Sequence, residues 1–408
     1  MVSPAKIIAY SYYNAPWTME SGDTVRIQTI LSALTKAGYK VIVVNLSGTV
    51  DSPKIVFYEG IMYVNFPRKF YKNITRTLRW REHHDLNTLI KLTHYVDELI
   101  LAMKLYSMLK YIPRMIVFGS MSLMSFMLRM LRLRNIEIIY DTFGNHAQTL
   151  YLKSRRSIKE LFRYGLFLAL HKHQLRSSNT IIYPCKMDSD NANRMFGITN
   201  IFILPNLSPI CFNSMEEYLN LRKLRTDYSR PYFILTAGSR VDFNKETVRL
   251  TITIFNKLSP EKFKLIITGP WQDMKRDISN PSIKLVGVVP KEKLKGLLAM
   301  ADYGLAPIFS HASGTFIKVL SYISAGLDII ASPSSVAGLN SESLKRIKVY
   351  LVRNKQEYAK TITKIVYEDK VVETLKMRNI VICRDATINI ENMLKAILNR
   401  DTVHLEVH

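Results

Sequence analysis

The stretch Ala306–Ser332, APIFSHASGTFIKVLSYISAGLDIIAS, constrains this chain more than any other, because it spells a complete strand–helix–strand unit with its punctuation in place. The apolar run within Asp302–Ile308 fits a buried strand, and Ser310–Gly314 is small and polar. A helical pattern follows from Thr315 to Ala325, Gly326 stands where a left-handed C-cap belongs, and Leu327–Ala331 reads as the next parallel strand. A helix that starts directly after a Ser-Gly-Thr loop presents unpaired N–H groups and the positive end of its dipole. That is a ready anion site. Lys318, expected about one turn into the helix, adds a full positive charge. The segment is therefore suited to holding a phosphate or diphosphate at the carboxyl edge of a parallel sheet. The plainer reading is an ordinary βαβ unit with a capped helix.

The rest of the chain repeats this logic. A strand over Lys6–Tyr12, a loop over Asn14–Asp23, a helix from Thr24 to Ala37 stopped by Gly38, and a strand over Lys40–Leu46 make a βαβ opening. Further strands are expected at Met115–Phe118, Glu137–Tyr140, Thr180–Tyr183 and Ile201–Leu204, with a long basic helix over Ser157–Arg176. The polar stretch Ser208–Arg230 breaks the pattern. Strands then return at Tyr232–Ala237, Lys264–Thr268 and Ile283–Val286, with helices at Lys245–Leu258 and Lys291–Met300. At 408 residues the chain exceeds what one core usually serves. The expectation is an α/β protein with two parallel-sheet domains, 1–207 and 231–385, joined by 208–230 and followed by a closing helix and tail at 386–408.

Several classes lose ground. Neither half contains Gly-x-Gly-x-x-Gly or Gly-x4-Gly-Lys-Ser/Thr, which argues against nicotinamide enzymes and P-loop nucleotidases. Cys185, Cys211 and Cys383 are scattered, with neither metal spacing nor a disulfide framework. Asp188-Ser189-Asp190 looks like a metal-holding pair, but its place near a helix start favours helix-start acids. No cofactor or metal is expected. The N-terminus lacks a secretory leader, and the uncharged run Met115–Leu128 is shorter than the roughly 20 residues a span needs, so a cytoplasmic location is expected.

A formal charge of +24 calls for an acidic partner or an anionic surface. Arg68, Lys69, Lys72, Arg76, Arg79 and Arg81 are interleaved with Phe70, Tyr71, Leu78 and Trp80. Lys153–Arg176 is basic apart from Glu160 and carries Leu161, Phe162, Leu166 and Phe167. Such stretches suit an anionic membrane surface, or a solvated helix with an ordinary core face. Nucleic acid would also fit the charge, but no nucleic-acid motif accompanies it. The histidines at 83–84 and at 171 and 173 lie in basic helical stretches and read as surface residues.

Taken in order, these pieces resemble glycosyltransferase family 4. Gly22-Asp23-Thr24-Val25-Arg26 with Leu31, Leu34 and Gly38 is similar to the family's first loop and helix. Ile203-Leu204-Pro205-Asn206 is similar to the segment closing the first domain, and Ala237-Gly238 through Asn244-Lys245 to the first loop of the second. Leu265–Gly269 and Val286-Gly287-Val288-Val289 are similar to its next two strand ends. Ser313-Gly314-Thr315 through Lys318, with Tyr322-Ile323-Ser324-Ala325-Gly326, are similar to the donor-phosphate loop and helix. The resemblance implies a GT-B fold, two Rossmann-like parallel-sheet domains facing a central cleft. It implies retaining transfer of a sugar from a nucleotide-sugar donor to a glycan, lipid-linked or protein acceptor.

By the same resemblance, Gly22, Arg240, Lys245, Ser313, Gly314, Thr315 and Lys318 would hold the donor diphosphate. Ser321, Val288 and Val289 would meet the ribose and base. His146 and Asp141, in Asp141–His146 after a strand, would act at the sugar or orient the acceptor. The family often carries two glutamates eight residues apart where this chain has Ser313 and Ser321. A serine at the second position cannot supply the charge-assisted bond a carboxylate gives to ribose. A catalytically reduced protein that binds a partner or nucleic acid through its basic face therefore stays open, as does another GT-B enzyme such as an epimerase or phosphorylase.

Overall fold

In a computed structural model of the chain, the described residues are 7–12, 22–47, 51–67, 96–97, 99–104, 114–118, 123–132, 136–142, 158–309, 316–339, 347–368, 380, 392–394 and 397–398. Two compact units divide the chain: 1–19, 27–205 and 391–402 in one, and 20–26, 206–390 and 403–408 in the other.

The first unit is built on an eight-stranded sheet in the order β3-β4-β2-β1-β5-β6-β7-β8. Its strands are β1 (Ile7–Tyr12), β2 (Lys40–Ser47), β3 (Lys54–Tyr58), β4 (Ile61–Pro67), β5 (Arg114–Phe118), β6 (Glu137–Asp141), β7 (Thr180–Tyr183) and β8 (Ile201–Ile203). Its helices are α1 (Gly22–Lys36), of which residues 27–36 belong to this unit, α2 (Met124–Met130), α3 (Ile158–Arg176) and α4 (Lys186–Phe196). All pairings are parallel except β3 with β4. That hairpin is absent from the sequence expectation. It turns through Glu59 and Gly60, both at positive φ (49° and 77°), the geometry a two-residue hairpin turn demands. Strand residues Met115, Val117, Ile138, Tyr140, Ile181 and Tyr183 share a core with Leu128 of α2, Phe167 and Leu175 of α3, and Phe196 of α4.

The second unit holds six parallel strands in the order β11-β10-β9-β12-β13-β14. These are β9 (Tyr232–Thr236), β10 (Lys264–Thr268), β11 (Ile283–Gly287), β12 (Tyr303–Ala306), β13 (Asp328–Ala331) and β14 (Val349–Leu351). The helices are α5 (Met215–Arg222), α6 (Asp242–Phe255), α7 (Lys291–Met300), α8 (Ile317–Ser324), α9 (Pro333–Val336) and α10 (Lys355–Tyr367). Phe233, Leu235, Leu265, Ile267 and Leu305 enter one core, whereas Ile234, Ile266, Ala306, Ile329 and Ala331 enter the core on the opposite face. Burial on both faces is why these strands read as unbroken apolar runs rather than alternations.

Residues 208–230, expected as a connection, are folded onto this sheet. Asp302, just before β12, accepts from Arg225 Nη1 at 2.7 Å, Arg222 Nη2 at 3.2 Å and the Tyr232 amide at 2.9 Å. Within the same stretch, Ser214 caps α5 by accepting from the Glu217 amide, and the Glu217 carboxylate accepts from the Asn213 amide. Such caps contribute about 1 kcal/mol.

Candidate functional site

The second sheet reverses its strand order between β9 and β12. From β9 the chain steps outward through β10 and β11, then returns to the other side of β9 for β12 and continues to β14. Loops leaving the carboxyl ends of two such neighbours diverge, and the crevice between them is where open parallel sheets place ligands. The helices that follow β9 and β12 are α6 and α8, so both begin at this point.

Side chains join the two helix starts. The Lys318 ammonium donates to Asn244 Oδ1 at 2.7 Å. Asn244 is buried and donates through Nδ2 to the Ser239 carbonyl at 3.0 Å and to Ser239 Oγ at 3.2 Å, which shapes the loop after β9. The rings of Phe243 and Phe316 meet edge to face at 5.9 Å. Below them the Tyr322 hydroxyl lies 2.9 Å from the Thr236 amide, which donates to it, and 3.2 Å from the Leu305 carbonyl. The ends of β9 and β12 are thereby tied to α8. Neither α6 nor α8 has an N-cap side chain that accepts from its first-turn amides.

Lys318 is partly buried. Burial pushes its pKa from 10.5 down to about 7, since desolvation disfavours the charged form. An anion at the site would reverse that shift.

Two helix boundaries differ from expectation. α8 begins at Ile317 after an extended Phe316, so Lys318 lies in the first turn instead of a turn further on. Gly326 does take the left-handed conformation expected after the helix, with φ 64°. α6 begins at Asp242, three residues before Lys245, because Val241 is extended and Asp242 suits the positive end of the helix. Asn244, which the sequence reading passed over as a site residue, thereby joins the first turn. A polar residue after a strand and a Gly-Ser loop was the available signal.

The other expected site residues are dispersed. Arg240 donates to the Pro270 carbonyl at 2.7 Å and pairs with Asp273 at 2.6 Å, both on the loop after β10. Lys245 is exposed on α6. Ser321 is buried, and its hydroxyl donates to the Ile317 carbonyl at 3.1 Å, one helical turn back. Val288 is 69% exposed beyond β11, whereas Val289 packs on the core. Gly22 is the first residue of α1. Asp141 ends β6 and is fully buried, and the next residue, Thr142, donates both its amide and its hydroxyl to the Ile182 carbonyl. His146, Ser313, Gly314 and Thr315 lie outside the described residues.

Three further expectations meet their outcome here. Asp188 lies in the first turn of α4, as a helix-start acid should. His171 is buried rather than on the surface, stacked on Phe167 at 5.1 Å, because it shares the inward face of α3 with Phe167 and Leu175. Cys211 is disulfide-bonded, although sequence spacing suggested no pairing; spacing does not report contacts made by folding. Among the described residues no helix is long and apolar enough to cross a membrane.

Two Rossmann-like parallel-sheet units in one chain define the GT-B fold, which comparison with solved structures supports. The chain is similar to the α,α-trehalose-phosphate synthase (UDP-forming) from Burkholderia xenovorans in complex with glucose-6-phosphate, at 13% identity and TM-score 0.66, over 97% of this chain and 99% of that one. It is similar to the trehalose-6-phosphate synthase OtsA at 13% identity and TM-score 0.65, over 97% and 99% of the two chains. It is also similar to the sucrose-phosphate synthase from Thermosynechococcus elongatus at 12% identity and TM-score 0.63, over 95% and 94%. No protein-family model and no curated protein matches the sequence. At these identities the likeness carries the fold.

Proposed function

We propose that this chain is a retaining glycosyltransferase that takes a sugar from a nucleotide-sugar donor, with the donor diphosphate seated between α6 and α8. The observation that carries this is the Lys318–Asn244 pair joining two uncapped helix starts at the strand-order reversal. Charge grows on the departing diphosphate in the transition state. A fixed ammonium and oriented amides stabilise it there more than in the ground state. The acceptor hydroxyl then attacks the same face of an oxocarbenium-like sugar that the diphosphate leaves. Family 4 membership rests on the sequence resemblance. The acceptor is a glycan, a lipid-linked sugar or a protein.

Ser321 favours a second reading, a catalytically reduced protein that binds a donor without efficient transfer. Its hydroxyl donates to its own helix and accepts from Ser208 Oγ at 3.5 Å, and a serine supplies no carboxylate for a ribose. A thermal-shift panel of nucleoside diphosphates and their sugars, followed by donor-hydrolysis assays, separates the readings. Stabilisation by one nucleotide family with turnover supports the transferase; stabilisation without turnover supports the reduced protein. No shift at millimolar concentration overturns the donor site.

The Lys318 pKa gives a pH signature. With a free-state pKa of about 7, the ammonium is half-neutral at that pH, and a bound diphosphate raises its proton affinity. Binding therefore takes up a proton above pH 7, and the association constant falls by up to about tenfold per pH unit there. Calorimetric titration at pH 8 in two buffers of different ionisation enthalpy should show this uptake in the wild type and none in Lys318→Met.

A further inference from the structure

We propose that the outward face of α3 is a docking surface for an anionic membrane. The helix is apolar on two opposite sides. Its inward side, Phe167, His171, Gln174 and Leu175, is buried. Gln174 locks that orientation, donating to Ser125 Oγ at 2.8 Å and accepting from the Phe126 amide at 3.1 Å, on and beside the start of α2. Leu161, Phe162 and Leu166, three of the apolar residues that a soluble helix would turn to its core, therefore face outward.

With Ile158, these residues recur at i, i+3, i+4 and i+8, one stripe over the first turns of α3. Ile158 is 88% exposed and Phe162 75%. Gly165 and Ala169 continue the stripe and are exposed too. In the last turns the same side carries exposed Lys172 and Arg176. An apolar stripe that ends in cations fits an interface where hydrocarbon lies beside anionic headgroups. A solvated helix has no use for the stripe. The chain's charge of +24 attracts an anionic bilayer at long range. A second copy of the same strongly basic chain would be repelled. Since no described helix is apolar enough to span, the helix lies in the interface plane.

The proposal goes beyond the donor site and stands without it. The test is co-sedimentation of the full chain with vesicles of phosphatidylcholine alone or mixed with phosphatidylglycerol, at low salt and at about 0.5 M salt. The expected result is binding to phosphatidylglycerol vesicles that weakens with salt. Phe162→Ser with Leu166→Ser should lower partitioning by more than about tenfold at unchanged melting temperature. Lys172→Glu with Arg176→Glu, on the same helix, should weaken it and flatten the salt dependence. Equal partitioning of wild type and the Phe162/Leu166 variant overturns the proposal, as does failure to bind phosphatidylglycerol vesicles. A wild-type dimer that the Phe162/Leu166 variant turns into a monomer in light scattering also overturns it, because a second copy then covers the face.

Discussion

The donor site proposed above predicts that replacing Lys318 with methionine lowers kcat/KM for sugar transfer by about a hundred- to a thousand-fold, or about 3–4 kcal/mol of transition-state stabilisation. The unliganded protein stays at least as stable as wild type below pH 7. These two effects have one origin. Desolvation makes the charge of the ammonium unfavourable in the unliganded protein, and would strengthen its pull on a bound diphosphate. Because the folded pKa lies below 10.5, the unfolded chain binds more protons between pH 7 and 10.5, and wild-type stability from this group rises across that window. The stability advantage of methionine is therefore fully present below pH 7 and fades toward pH 10.5. Steady-state kinetics with chemical denaturation at pH 6 and pH 9 checks both signs. Undiminished turnover would remove Lys318 from the chemistry.

Replacing Gly304 with alanine destabilises the second unit by about 2–3 kcal/mol or more, and lowers its melting temperature by several degrees. Gly304 lies in β12 directly beneath the Tyr322 ring, and a Cβ there would overlap the ring atoms. The ring has little freedom to retreat. Its hydroxyl is bonded to Thr236 on β9 and to the Leu305 carbonyl on β12, and the whole side chain is buried. Either β12 moves or these bonds break, and both loosen the sheet edge on which Lys318 depends. Urea denaturation measures the loss. In a Tyr322→Ala background the same Gly304→Ala change should be much less harmful, because the overlapping atoms are gone. Equal losses in the two backgrounds would mean that the ring is not what the new methyl meets.

Much of the fold was legible because parallel strands buried on both faces leave unbroken apolar runs. Lys264–Thr268 and Thr180–Tyr183 were bounded to the residue. The β3–β4 hairpin was missed although its signal was present, two strand-like runs separated by Glu59-Gly60. β14 and α10 are likewise absent from the sequence expectation. Lys318 was singled out from its place after a small-residue loop. Its partner Asn244 was not, because the two lie 74 positions apart and only the strand-order reversal brings them together.

The sequence by itself determined the βαβ rhythm, the helix stop at Gly326, the excess of positive charge and the choice of Lys318, since each depends on residues within a turn or two of one another. Only the tertiary structure decided which loops share an edge, which side of α3 is outward, and how strongly Lys318 holds its proton. Those depend on solvent exclusion by residues distant in the chain, and local propensity carries no record of them.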